Sequence, residues 1–294
     1  MKLFDEALPF FKGNLHTHTT RSDGKMSPED VMALYRAHGY DFLALTDHWH
    51  VGQAGIFEGL LLLAGIELDV MMETQAVHVV GLGVGAQLLE SVKRGDDAQT
   101  MIDGIRGCGG RAILCHPAWS LNTPQAMCAL SGITATEIYN SFSGIPWNAD
   151  RADSSVQVDM ALTHGMKTRL VASDDAHFYT GEACKSFIRL QARELTQEAI
   201  LAGLDAGKFY ASQGPDFVQL SVEDGALTVT CSPVEHITFY SNLVWSHNRC
   251  RSGHDQTTAT YPLRLDKGET WVRVELVDRF GRRAWSNPIY LSAI

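Results

Sequence analysis

The sequence of 294 residues has no long hydrophobic run, few cysteines and a deficit of basic side chains. Its longest conspicuous apolar run, from Leu60 to Ile66, is far shorter than the roughly 20 residues that a membrane helix needs. Near the N-terminus, Asp5 and Glu6 interrupt the segment where a secretory signal would be apolar. These features argue against a membrane-spanning or secreted chain and predict a cytoplasmic location.

The six cysteines form no C-x-x-C pair and lack the spacing of a disulfide framework, so we expect reduced, mostly buried thiols. Lysine and arginine number 24 against 34 aspartates and glutamates, which gives a net charge of −10 with histidine neutral. Such a charge argues against a broad nucleic-acid-binding surface. It allows a small phosphorylated substrate, because bound metal ions can reverse the local charge.

Two patterns divide the chain at residues 212 and 213. In residues 1–212 short apolar runs alternate with helical patterns. Strands are predicted at 13–18, 42–48, 61–68, 76–81, 112–116, 134–139 and 169–173. Helices are predicted at 28–38, 98–106, 124–130, 154–164 and 197–206. The alternation predicts an α/β domain with a largely parallel sheet, and seven strands suit a barrel with its site at the C-terminal strand ends.

Residues 213–294 show only strand-like runs, at 217–222, 227–231, 236–240, 258–265, 271–277 and 288–291. We therefore expect a small C-terminal all-β domain, similar to a sandwich.

Histidine and carboxylate side chains lie within or just past six of the seven predicted strands. His16 and His18 are two residues apart, so both project to the same face of a strand at a spacing that suits one ion. The other members of this set are Asp23, His48, Glu67, His78, His116, Asp175 and His177. Burying these nine side chains together without metal would be costly for each unpaired charge, so the set predicts a metal centre.

The order of these motifs resembles the polymerase and histidinol phosphatase (PHP) superfamily of metal-dependent hydrolases. The residues that carry the resemblance are GNLHTHT at 13–19, SDG at 22–24, LTDH at 45–48, HP at 116–117 and DAH at 175–177. Within the superfamily, GNLH at 13–16, EIYN at 137–140 and the β region are most similar to the branch of carbaryl-hydrolase-type carbamate and amide hydrolases. The resemblance implies a distorted seven-stranded β/α barrel that holds two or three divalent ions.

Three ion sites follow from the resemblance, position by position. The first ion would be held by His16, His18, Glu67 and Asp175; the second by Glu67, His78 and His116; the third by Asp23, His48 and His177. Asp175 is preferred to Asp174 because residues 175 and 177 share a strand face, and His48 is preferred to Asp47 in the same way. Asp47, His50 and Asn140 are expected to orient ligands or to carry a leaving-group proton.

The charges and ligand types indicate what such a site would do. Three divalent ions bring about +6 against about −3 from the carboxylates, which leaves a positive pocket. A water that bridges two metals has its pKa lowered from near 15.7 toward neutrality and becomes a nucleophile. Imidazole and carboxylate ligands suit Zn, Mn or Fe. The residues expected to act in catalysis are Glu67, Asp175 and His177.

Three functions compete on this basis. The first is a phosphoesterase for a small phosphorylated substrate, with Arg21, Lys25 and Arg151 as candidate phosphate-binding cations. The second is a carbamate, ester or amide hydrolase whose pocket mouth is lined by Trp49, Trp119, Phe142 and Trp147, unless the last three pack against the β domain instead. The third is a non-catalytic binding module stabilised by metal, and the complete ligand set counts against it.

Overall fold

The computed structural model describes residues 1–293 and shows a mixed α/β protein. The strands of the first region are β1 (Phe10–Asn14), β2 (Phe42–Leu45), β3 (Gly55–Phe57), β4 (Leu60–Met71), β5 (Ala76–Leu82), β6 (Arg111–Leu114), β7 (Ile133–Asn140), β8 (Arg169–Ser173), β9 (Phe187–Gln191) and β10 (Phe209–Ser212). Its helices are α1 (Pro28–Ala37), α2 (Leu88–Ser91), α3 (Ala98–Gly107), α4 (Pro124–Ala129), α5 (Ser155–Thr163) and α6 (Gln197–Ala206). The C-terminal strands are β11 (Phe217–Glu223), β12 (Ala226–Ser241), β13 (Cys250–Pro262), β14 (Trp271–Val277), β15 (Arg283–Ser286) and β16 (Ile289–Tyr290).

The helices begin where the sequence supplies capping side chains. The Ser27 hydroxyl accepts a hydrogen bond from the Asp30 amide at the start of α1, and Asp97 accepts one from the Thr100 amide at the start of α3. The five predicted helices are confirmed, whereas the short α2 was not predicted. Within residues 1–293, every helix is too short or too polar to cross a membrane.

The sheet of the first region runs in the order β10-β9-β1-β2-β4-β5-β6-β7-β8. The expectation of a largely parallel sheet is wrong for β5, which is antiparallel to both β4 and β6, and for β9, which is antiparallel to β1. The link of residues 72–75 between β4 and β5 is short enough to join only antiparallel neighbours. A parallel bridge between Thr17 and Ala176 joins the segments that follow β1 and β8. The closed seven-stranded barrel stays a prediction, which this bridge favours.

Three strands of the first region end earlier than predicted, and all three ends lead into the candidate site. β1 ends at Asn14 instead of residue 18, and β2 ends at Leu45 instead of residue 48. β6 ends at Leu114 instead of residue 116. The Asn14 side-chain amide donates to the His16 carbonyl, 2.9 Å away, and the Asp175 amide donates to the same carbonyl at 2.9 Å. The histidines of the first motif therefore lie in an extended loop that contacts the loop after β8.

The C-terminal strands continue the same sheet instead of standing apart. β15, which was not predicted, pairs with β10 and places Trp285 opposite Ala211. The indole of Trp285 also stacks on Tyr139 of β7, with ring centroids 5.5 Å apart. The runs predicted at 227–231 and 236–240 form one strand, β12, which lies between β11 and β13 in its first half and between β13 and β14 in its second. The division at residue 212 and the sandwich stay predictions.

Candidate metal centre

The structure brings all nine predicted side chains together around one cavity of about 320 Å³. The cavity is lined by Asp23, Lys25, His48, Glu67, His78, His116, Trp119, Phe142, Ser143, Asp175, His177 and Phe178. His16 and His18 are buried and contact the carboxylates of Glu67 and Asp175. The side chains come from loops after four strands and from the interior of β4 and β5, so the fold converges on this cavity.

The first predicted group forms a tight buried cluster. The Nε2 atoms of His16 and His18 lie 3.2 Å apart. Each of these atoms lies 3.0–3.2 Å from Glu67 Oε2 and from Asp175 Oδ1. Two nitrogens and two carboxylate oxygens therefore face a common point, as a four-ligand metal site requires.

Glu67 connects this cluster to the second predicted group. Its Oε1 atom lies 2.8 Å from His78 Nδ1 and 3.6 Å from His116 Nε2, whereas its Oε2 atom faces His16 and His18. The two oxygens of one carboxylate thus contact two groups of imidazoles.

The third predicted group lies at the solvent side of the cavity around Asp23. Asp23 Oδ2 is 3.4 Å from His177 Nε2 and 3.9 Å from His48 Nε2, and its Oδ1 is 3.5 Å from His18 Nδ1. The SDG turn requires glycine at position 24, because a Cβ atom there would lie 2.5 Å from the His18 carbonyl oxygen. The turn can therefore pack against the histidine loop and direct Asp23 into the cavity.

Two of the site residues have strained backbones. His116 has φ of 30° and Asp175 has φ of 53°, in the left-handed region that L-residues rarely adopt. The His116 amide donates to Glu137 Oε2 at 2.8 Å, and the Asp175 amide donates to the His16 carbonyl. Such strain persists only where the surroundings hold it, and it is concentrated at functional sites.

Glu137 is the important residue that the sequence did not nominate. It is fully buried on β7, its Oε1 lies 2.9 Å from His16 Nδ1, and its Oε2 also accepts from the Asn140 side chain at 2.9 Å. Because the opposite nitrogen of His16 faces Asp175, Glu137 fixes the tautomer and orientation of that ring. The available signal was a carboxylate inside the otherwise uncharged strand ITATEIYN.

Other neighbours orient the remaining rings. Asp69, also missed, lies 3.2 Å from His48 Nδ1, and the Ser120 hydroxyl lies 2.9 Å from His116 Nδ1. Asn140, expected to orient a ligand, donates to Asp175 Oδ2 at 3.2 Å.

Two other residues expected to assist the ligands lie differently. Asp47 accepts from the amide and hydroxyl of Thr19, so it organises the loop that carries the histidines. His50 is exposed and is not among the residues that line the cavity.

Asp174 and Asp175 are adjacent but have opposite roles in the structure. Asp174 accepts hydrogen bonds from the Tyr35 hydroxyl and from three successive backbone amides, at residues 184–186. Asp175 instead lines the cavity, beside His16 and His18. The strand-face comparison therefore selected the residue that lies in the site.

The cluster is built to accept positive charge. Burial by itself lowers the pKa of His16 and His18, yet Asp175 and Glu67 raise the His16 pKa well above its usual value and the His18 pKa to about 9. Burial raises the pKa of Glu67, Asp175 and Asp23, but the surrounding imidazoles more than reverse this effect and hold all three values below the usual range. Protons or bound cations can supply the compensating charge.

The donor set fits divalent cations. Asp175 Oδ1 is buried and has no hydrogen-bond partner, although it lies between His16 and His18. An unpartnered carboxylate oxygen in a buried site is costly unless a cation binds it. Imidazole nitrogens and carboxylate oxygens are ligands of Zn, Mn and Fe.

Aromatic side chains stand beside the cluster. Trp119 packs edge-on against His78 and His116, and Phe142 stacks on His177 at 4.2 Å. The ring contacts of Trp119 and Phe142 are with site histidines and with aromatic side chains of the first region.

The other proposed mouth residues are placed differently. Trp147 packs on Phe142, and Trp49 donates to Asp69 at 2.8 Å. Of the three candidate phosphate-binding cations, Lys25 lines the cavity, whereas Arg21 and Arg151 are exposed and are not among its lining residues.

Comparison with known proteins gives partial sequence matches. No protein-family model matches the chain. A 5'-3' exoribonuclease of Haemophilus influenzae is 38% identical over 79 residues, which are 24% of this chain and 28% of that protein. A 3',5'-nucleoside bisphosphate phosphatase of Chromobacterium violaceum is 33% identical over 114 residues, which are 32% of this chain and 40% of that protein. The matches span less than half the length of these relatives.

Similarity of fold extends over nearly the whole chain. A solved two-domain protein from Bacteroides vulgatus, described as containing a predicted PHP-like metal-dependent phosphoesterase, matches with a TM-score of 0.55 and 15% identity. The match covers 94% of this chain and 92% of that one. At 15% identity this similarity concerns the fold alone. The candidate site residues come from the motifs of this sequence. The chain therefore shares the fold of a protein that contains a predicted PHP-like domain, in agreement with the resemblance that its motifs indicated.

Proposed function

We propose that this chain is a metal-dependent phosphoesterase that hydrolyses a small phosphorylated substrate. The observation that carries the proposal is the convergence of nine imidazole and carboxylate side chains on one cavity that also contains Lys25. The phosphatase of Chromobacterium violaceum among the relatives supports the same reaction class. A cavity of about 320 Å³ lies at the small end of the range for ligand pockets, which favours a small substrate.

The ligand assignment follows the three groups. His16, His18, Glu67 and Asp175 would hold one ion; Glu67, His78 and His116 a second; Asp23, His48 and His177 a third, with Zn, Mn or Fe as the candidate metals. When bound, such ions acidify water and neutralise the charge that develops on phosphoryl oxygens.

The chain's own side chains would hold this arrangement and receive the substrate. Glu137 and Asn140 fix His16 and Asp175, so that the ligands are preorganised. Lys25 offers a positive charge at the cavity wall for the phosphate. Glu67, Asp175 and His177, which the sequence nominated as catalytic, all line the cavity and would contact the reacting group.

The aromatic wall provides a specific reason to test the second candidate, carbamate or amide hydrolysis. Trp119, Phe142 and Phe178 line the cavity, and an apolar acyl or aryl group would pack on such rings. The attack would then be on a carbonyl carbon instead of phosphorus.

A substrate panel with metal analysis tests these alternatives. We expect metal-loaded protein to hydrolyse an aryl phosphate faster than a bis-aryl phosphodiester, a short 5'-phosphorylated RNA or an aryl carbamate. Chelation should remove the activity, and Mn or Zn should restore it. A preference for the carbamate would select the second function, a preference for the RNA would indicate an exonuclease, and full activity in metal-free protein would exclude the proposal.

A further inference from the structure

An aromatic rim borders the metal centre on the side of Asp23. The rim consists of Phe142, Trp147 and Phe178: Phe142 and Phe178 line the cavity, and Trp147 packs edge-on against both, with centroids 5.6 and 5.1 Å away. Trp147 is 62% exposed and Phe178 is 38% exposed. Large aromatic side chains exposed at the mouth of a polar cavity indicate a binding surface.

The rim is directly connected to the metal ligands by stacked rings. His18 stacks on His177 at 4.1 Å, His177 on Phe142 at 4.2 Å, and Phe142 on Phe178 at 5.8 Å, with interplanar angles of 26°, 16° and 16°. The stack therefore runs from a buried ligand to a solvent-exposed ring. A group that rests on the rim would lie next to the position at which the proposed reaction occurs.

Lys25 adds a positive charge at the same place. It is the one cation among the described residues that line the cavity, and its Nζ lies 5.7 Å from the centroid of the Phe178 ring. Its backbone amide donates to the His177 carbonyl at 2.7 Å, which fixes this segment beside the metal centre. The rim thus combines aromatic surface with the charge that an anionic substrate needs.

We propose that the aromatic rim is a subsite for a planar aromatic group joined to the scissile phosphate, as in a nucleoside monophosphate. This proposal rests on the proposed phosphoesterase function and names the class of its substrate. Aromatic side chains stack with any base, because every base has a π-face, so the subsite selects for a base without reading its identity. Lys25 would contact the phosphate while the metal centre holds its oxygens.

Matched substrate pairs test the subsite. Adenosine 5'-monophosphate and ribose 5-phosphate both release the primary 5-hydroxyl of a ribose and differ in the base, and benzyl phosphate and cyclohexylmethyl phosphate differ in one aromatic ring. We expect kcat/KM to be about tenfold higher for the aromatic member of each pair. Trp147→Ala and Phe178→Ala should each remove most of this ratio. Trp245→Ala and Phe280→Ala, which replace exposed aromatic side chains of the C-terminal region, should leave the ratio unchanged.

Each outcome decides the proposal. A ratio lost in the rim variants for both pairs supports a general aromatic subsite, and loss for the nucleotide pair alone identifies the base as its ligand. Equal efficiencies within both pairs would overturn the subsite while leaving the phosphoesterase intact. If no phosphate ester is cleaved, the phosphoesterase proposal is refuted, and calorimetry tests the subsite separately. Tighter binding of adenosine 5'-monophosphate than of ribose 5-phosphate, lost in Trp147→Ala, would support the subsite. Equal binding of the two compounds would refute it.

Discussion

Two parts of the molecule bury charged side chains, and they balance them differently. Arg273 on β14 is fully buried and pairs with both oxygens of Asp159 on α5, at 2.7 and 2.8 Å, while Glu275 is paired with Arg283 at 2.9 Å. In the metal centre, by contrast, the carboxylates of Glu67 and Asp175 share the same two imidazoles.

The difference distinguishes a structural ion pair from a ligand site. Around Arg273 the chain supplies both signs of charge, so no other partner is needed, and the pair connects a helix of the first region to the C-terminal strands. In the metal centre the chain supplies carboxylates and imidazoles, which balance the carboxylates only when they take up protons, and it leaves one oxygen of Asp175 without a hydrogen bond. Buried charge that the chain does not balance requires a cation from outside.

The largest expected effect is the loss of turnover when Asp175 is replaced. Asp175→Asn should lower kcat by about 10³-fold or more and should reduce the bound metal, because several kcal/mol of charge stabilisation is lost with the ion. His16→Ala should act in the same way. Steady-state kinetics and metal analysis of the purified proteins measure both effects.

Asp174→Asn is the matched control for Asp175→Asn. It should keep the metal but lower the free energy of unfolding by about 1–3 kcal/mol, because the donors at one of the two Asp174 oxygens would face an NH2 group instead of an acceptor. Wild-type turnover in Asp175→Asn, or metal loss equal in both variants, would remove the distinction between the two residues.

The second effect is on stability alone. Arg273→Met should lower the free energy of unfolding by about 3 kcal/mol, the low end for a broken buried pair, because the Asp159 side chain is 23% exposed. Metal content should not change, since Arg273 lies outside the centre. Denaturant titration measures the stability, and Arg273→Met combined with Asp159→Leu should recover part of it. A loss of metal in the single variant would show that the two regions are coupled.

The smallest effect concerns Glu137. Glu137→Gln keeps the size of the side chain but removes the charge that faces His16 Nδ1, and it should reduce metal affinity and kcat about 10–100-fold. Glu275→Gln is the matched control, because it also alters a buried carboxylate but should change only stability. Metal affinity measured by competition with a chelator separates the two. Unchanged affinity in Glu137→Gln would make that residue purely structural.

The nine ligand candidates could be predicted because each is a histidine or carboxylate within or just past a predicted strand or in the turn that follows, which is a local property. Alternate positions such as His16 and His18 project together whether the segment is a strand or an extended loop, so the pair was placed correctly although β1 ends at Asn14. Two of the orienting residues could not be predicted in the same way. Glu137 and Asp69 contact their histidines across 121 and 21 residues of sequence. The uncharged strand around Glu137 marks that carboxylate as unusual, but the local pattern does not show which histidine either residue faces.

The sequence by itself determined which side chains could bind metal and where the capped helices begin, because these properties depend on residue type and on a few neighbouring positions. The tertiary structure decided the direction of β5 and β9, the pairing of β10 with β15 and the partners of each imidazole. It also decided that Phe142, Trp147 and Phe178 meet beside the metal centre. These features depend on contacts between distant segments, and such contacts are fixed only when the whole sheet packs.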